Sequence, residues 1–210
     1  MHTIFSIFSL QNLITELRRV ISRFPLSALC ILIVTGILSY ENAMSNSDIS
    51  SELRDTLGYI TIASGIAFFL ATALDLFLEQ VHRKWVYRVI GYIGTIAYAF
   101  YLYTSLESRM SSTESTTLIL LSLFGFLITL FFAPYIRDLV QKKYSQEAYI
   151  HYFYSIAIAF LTAMIMSGIL MILGSIALWS IDTLFTVDWI GDKAYGYMAI
   201  FSFAFVAPLF

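Results

Sequence analysis

Between Tyr152 and Ile181 the chain carries no charged side chain, and five further stretches come close to the same state: Pro25–Tyr40, Leu57–Leu78, Val86–Leu106, Thr117–Ile136 and Ala194–Phe210. A helix needs ~20 apolar residues to cross ~30 Å of hydrocarbon. In lipid it must also satisfy its own backbone hydrogen bonds. These runs therefore predict an all-α, polytopic transmembrane helix bundle of about six spans. The fifth run exceeds one crossing, which tilting, a break at Gly168 or Gly174, or an interfacial extension would absorb. The sixth is short and ends without a polar residue, so the expectation is a transmembrane domain over residues 25–210 that is truncated at its C-terminal end.

Composition agrees with a lipid solvent. Hydrophobic residues make up 59% and charged residues 12%, against roughly 45–50% and about 25% in soluble domains. A soluble globule lacks the polar surface it would need. The net charge of -2 excludes a polycationic surface for nucleic acid. The single cysteine, Cys30, forms no disulfide within the chain. The exit from the first span, Tyr40-Glu41-Asn42, has no small-x-small pattern for signal-peptide cleavage, so that span is expected to stay attached.

Ahead of the first span, residues 1–24 read as an amphipathic interfacial helix. Ile4, Phe5, Phe8, Leu13, Leu17, Val20, Ile21 and Phe24 share one face, with Arg18, Arg19 and Arg23 mainly elsewhere. Such a helix lies in the headgroup layer or packs on the rest of the protein from the cytoplasm. Basic residues then alternate at every crossing. Nine lie at the N-terminus and after spans two and four (Arg18, Arg19, Arg23, Arg83, Lys84, Arg88, Arg137, Lys142, Lys143), and three after spans one, three and five (Arg54, Arg109, Lys193). Lysine and arginine are retained on the cytoplasmic side of short loops, which predicts a cytoplasmic N-terminus.

Within span two, Ala63, Ala67, Ala71, Asp75 and Glu79 recur every fourth residue and share one helical stripe. The alanines are expected to admit a neighbouring helix. Asp75 and Glu79 are the candidate intramembrane functional acids, because a carboxylate near hydrocarbon must be paired, hydrated or put to use. For Asp75 the bland alternative is that it reaches the headgroup layer or pairs with a nearby cation such as Arg83 or Arg88. Span five offers a second packing face in Ala159, Ala163, Ser167, Gly168 and Gly174.

No catalytic residue, cofactor or metal site is implied. His2, His82 and His151 stand far apart, no zinc, phosphate-loop or nucleophile-elbow motif occurs, and Asp182, Asp188 and Asp192 lack a calcium-loop spacing.

Arg23-Phe24-Pro25-Leu26, Ala73-Leu74-Asp75-Leu76-Phe77-Leu78-Glu79 and Ala177-Leu178-Trp179-Ser180-Ile181-Asp182-Thr183-Leu184-Phe185 resemble the bacterial membrane proteins grouped as domain of unknown function 4153, as does the ending Ala207-Pro208-Leu209-Phe210. The resemblance implies a longer chain with further spans and assigns no functional residue. The expectation is thus a bacterial inner-membrane protein, in contact with the lipid bilayer and with a membrane-protein partner or a second copy of itself. Its role is expected to be that of a non-catalytic scaffold or sensor; the alternative is a transporter or transport-associated subunit that uses Asp75 as a coupling group.

Overall fold

The computed structural model describes residues 18–44, 50–79, 84–108, 112–135, 146–185 and 192–206. Among them every extended element is helical and no strand occurs: α1 (Pro25–Ala43), α2 (Ser51–Leu78), α3 (Lys84–Glu107), α4 (Ser112–Phe132), a 3-10 turn (Ala133–Tyr135), α5 (Gln146–Phe185), α6 (Asp192–Ala199) and a π-helical segment (Ile200–Val206). Five helices are long and apolar enough to cross a membrane. The sixth expected span is represented by α6 and the π-helical segment. Residues 207–210, on which the truncation expectation rests, lie outside the described residues, as does the interfacial helix before residue 18. Residues 18–23 of that helix are helical.

Local chemistry sets the boundaries. Phe24 leaves helical geometry at φ -126° and ψ 63°, because the ring of Pro25 disfavours the α region for the residue before it. Proline then opens α1, where its missing N–H costs nothing. At α2 the Ser50 hydroxyl accepts from the Leu53 amide at 3.3 Å, and Glu52 lies in the first turn. Both complement the positive end of the helix.

Helix α2 is central, packed against α1, α3 and α4. Its buried residues are Ala63, Ile66, Ala67, Ala71, Ala73, Asp75 and Leu78. Small side chains dominate because lipid removes the hydrophobic drive between spans, leaving close packing and hydrogen bonds to hold them. Between α3 and α4 the Tyr98 hydroxyl meets Ser122 Oγ at 2.8 Å, and the Tyr98 ring packs edge-on against Phe126 at 5.0 Å. Ser122 gives its proton to the Leu118 carbonyl, so Tyr98 donates.

Helix α1 is tied at its far end as well. Asn42 Nδ2 donates to the Lys193 carbonyl at 2.7 Å, and Lys193 Nζ donates to the Ala43 carbonyl at 2.6 Å. A lysine on the last carbonyls of a helix answers both their missing amides and their partial negative charge. Gly196 lies so near the Asn42 side chain that a Cβ there would displace it.

Helix α5 runs unbroken through Gly168 and Gly174, so a break is not how the long apolar run is absorbed. Its 40 residues extend roughly 60 Å, well beyond ~30 Å of hydrocarbon. Its first turns join the end of α4 through rings: Phe132 stacks on Tyr149, Phe131 meets Phe153, and Tyr135 meets Tyr149 and Tyr152. The Tyr152 hydroxyl donates to the Leu130 carbonyl at 3.3 Å. Further along, α5 packs on α6 and the π-helical segment, and most of its large side chains face outward.

Candidate functional site

Asp75 stands in the last turn of α2 with a side chain that is 0% exposed. Helix α3 supplies its partners from one face, since Arg88 and Tyr92 are four residues apart. Arg88 Nε donates to Asp75 Oδ1 at 3.0 Å. The Tyr92 hydroxyl lies 2.8 Å from Oδ1 and 3.0 Å from Oδ2, its one proton directed between them. Gly91 permits this approach, because the Leu74 side chain occupies the space a Cβ would need.

The remaining donors of Arg88 reach out of the pair. Its Nη2 donates to the Arg23 carbonyl at 3.2 Å, at the end of the helical turn that precedes Pro25. Arg23 in turn grips Glu79, one turn beyond Asp75, with Nε on Oε1 at 2.5 Å and Nη2 on Oε2 at 3.0 Å. This two-pronged geometry matches a planar guanidinium to a carboxylate. The hydrogen bonds that Arg23 donates to Glu79 raise the pKa of its guanidinium above the usual value. The Arg23 guanidinium also lies 5.0 Å above the ring of Phe24. One turn deeper, Ser27 of α1 meets Thr72 of α2 at 3.0 Å; Thr72 donates to the Phe68 carbonyl, so Ser27 donates to Thr72.

Two acids and two arginines thus connect the start of α1, the end of α2 and the start of α3 in one charge-balanced network. Its inner pair is dry on the carboxylate side, and its outer pair is wet, with Arg23 54% and Glu79 37% exposed. A buried pair of this kind gives little net stability relative to apolar packing, yet loss of one partner is costly. The outer pair contributes between about 0 and 1 kcal/mol. Chemically, the arrangement is a clasp. Oδ1 accepts from both Arg88 and Tyr92 and Oδ2 from Tyr92 alone, and because the carboxylate is fully buried a substrate group reaches it only by displacing Arg88 or Tyr92.

Of the expected positions, the structure brings Asp75 and Glu79 together with arginines and buries Ala63, Ala67 and Ala71. On α5 it buries Ala163 and Ser167, half-buries Gly168, sets Gly174 against Met198 and leaves Ala159 exposed. Arg83 lies outside the described residues, as do Asp188 and the side chain of Asp192. Two members of the clasp were missed. Tyr92 is legible in the sequence only as the residue one turn after Arg88, and Arg23 reads there as an interfacial cation, with nothing in its neighbours to link it to a carboxylate fifty-six positions away.

Five apolar helices, an all-helical architecture and polar ties between neighbouring helices fit a multi-pass integral membrane protein. No family model, no curated protein and no solved structure matches the chain.

Proposed function

We propose that this chain is a non-catalytic scaffold or sensor component of a bacterial inner membrane, with its N-terminus in the cytoplasm. The observation that carries the reading is the occupied state of Asp75: fully buried, with Arg88 and Tyr92 on its oxygens. A coupling carboxylate has to exchange a proton or ion during a cycle, whereas this one holds three helical segments in register. The resemblance of the Arg23–Leu26 and Ala73–Glu79 stretches to the family of domain of unknown function 4153 supports the bacterial setting.

Reconstituting the protein and its Asp75→Asn variant in proteoliposomes tests this role against transport. The variant keeps the size of the side chain and a carbonyl acceptor for Tyr92, but it removes the charge that Arg88 meets. The scaffold reading expects a lower unfolding temperature and no capacitive current, in either protein, on a jump in proton or alkali-cation concentration. A current in the wild type that disappears in Asp75→Asn at unchanged unfolding temperature would replace it with the transport reading.

Orientation is checked separately with single cysteines in a Cys30→Ser background. Those at Ser51, Ser112 and Gly191 are expected to react with an impermeant thiol reagent added outside intact cells. Those at Gln80 and Gln141 are expected to react only after lysis. The reverse pattern would place the N-terminus outside.

A further inference from the structure

Hydroxyls inside these helices commonly donate to the carbonyl one turn earlier, as do Thr72, Thr95, Ser122, Thr129 and Ser180. Among the described residues, Thr35, Thr61, Ser167 and Ser202 have buried hydroxyl oxygens with no hydrogen-bond partner. Ser167 and Ser202 are each 0% exposed. An unpartnered hydroxyl is costly in an interior that offers no bulk water.

Helical spacing brings these two serines to one interface. Gly174 of α5 lies against Met198 of α6, and the short connection over residues 186–191 makes the two helices antiparallel. Ser167 precedes Gly174 by seven residues, close to two turns, and so shares its face. Ser202 follows Met198 by four residues, about one turn of this widened helix, and so faces α5. From the Gly174–Met198 contact, their depths differ by roughly 5 Å. The Asn42–Gly196 contact and the Ser27–Thr72 bond likewise set Thr35 and Thr61 within roughly 5 Å of Ser202 in depth.

The π-helical segment adds a second kind of oxygen. Where backbone bonding passes from the fourth residue to the fifth, a carbonyl at the junction loses its usual amide. Ser202 lies in this segment, so hydroxyls and backbone meet where the regular helix stops. The choice of ligand follows from charge. Neither Tyr152–Ile181 nor Ile200–Val206 contains a charged residue, so a cation entering the site would find only neutral dipoles in place of its hydration shell. A small neutral molecule that both donates and accepts avoids that cost.

We propose that Ser167 and Ser202 form a site for a buried water molecule between α5 and the π-helical segment. A water about 2.8 Å from each hydroxyl spans the depth difference between them, and its remaining capacity serves a carbonyl of the segment, giving the usual three or so bonds of an internal water. Bound there, it stabilises the π-helical register against relaxation to a regular helix.

X-ray radiolysis of the full chain in lipid nanodiscs tests the site, because hydroxyl radicals formed from an ordered internal water oxidise the side chains beside it. Met171 and Met198 flank the serines by helical spacing, whereas Met164 and Met166 face outward at 45% and 48% exposure. Met171 and Met198 are expected to oxidise several-fold faster than Met164 and Met166 in the wild type, and to fall to their rate in the Ser167→Ala/Ser202→Ala variant. Equal rates at all four methionines in the wild type would overturn the proposal without any variant. So would fast oxidation of Met171 and Met198 that persists in a folded double variant, since the radicals would then come from bulk water.

Discussion

Arg88→Ala is expected to destabilise the protein by about 3 kcal/mol, toward the lower end of the 3–5 kcal/mol typical of breaking a buried ion pair. The substitution leaves Asp75, 0% exposed, with Tyr92 alone. The cost stays near the lower end because Arg88 is itself 33% exposed, and water entering its space would hydrate part of the carboxylate. Asp75→Leu combined with Arg88→Met is expected to recover most of the loss, since an apolar replacement of a buried pair is often close to neutral. Arg23→Ala, which opens the wet outer pair with Glu79, is expected to cost no more than about 1 kcal/mol. Reversible unfolding in mixed detergent micelles measures all three. If Arg88→Ala behaved like Arg23→Ala, the clasp would not hold Asp75 as described.

The second large effect is expected on the small-residue face of α2. Ala71 is 0% exposed, and Ala67 and Ala63 are each 4% exposed, so Ala71→Leu has no lipid to point into and must push a neighbouring helix away. Overpacking of this kind costs about 1–3 kcal/mol, with further loss if the Ser27–Thr72 bond one residue along opens. Ala159→Leu provides the contrast. That alanine has the same four-residue spacing to Ala163 but faces outward, so a change within about 0.5 kcal/mol is expected. The same unfolding experiment compares them, and equal effects at the two positions would mean that α5 is covered where the structure leaves it open.

That contrast marks how much of the site was legible in advance. Four-residue spacing identifies residues on one helical face, and it grouped Ala63, Ala67 and Ala71 on α2 as readily as Ala159, Ala163 and Ser167 on α5. It carries no information on which face meets protein and which meets lipid, because both are apolar and alanine suits either. Asp75 was different. A carboxylate in hydrocarbon demands a partner, so a pair with Arg83 or Arg88 could be anticipated from α2 and the nearby basic residues, while the choice of Arg88 and the full burial came from the packing. Tyr92 and Arg23 could not be anticipated, because an aromatic residue in a span and an arginine at an interface each have an ordinary role that requires no acid.

Composition and the lengths of the apolar runs specify the class and most of the elements. Continuous apolar runs of about twenty residues cross lipid as helices, which close their own backbone hydrogen bonds, whereas barrel strands are about half as long and alternate in polarity. Pro25 and Ser50 set where two of the helices begin, because proline and an N-cap hydroxyl act on their immediate neighbours. Only packing settles the remainder: α2 as the central helix, the clasp of Arg23, Asp75, Glu79, Arg88 and Tyr92, and the tie of Lys193 to the end of α1. These depend on contacts between residues far apart in the chain. Among spans that are nearly uniform in polarity, it is shape and a few hydrogen bonds, not hydrophobic pattern, that select the neighbours.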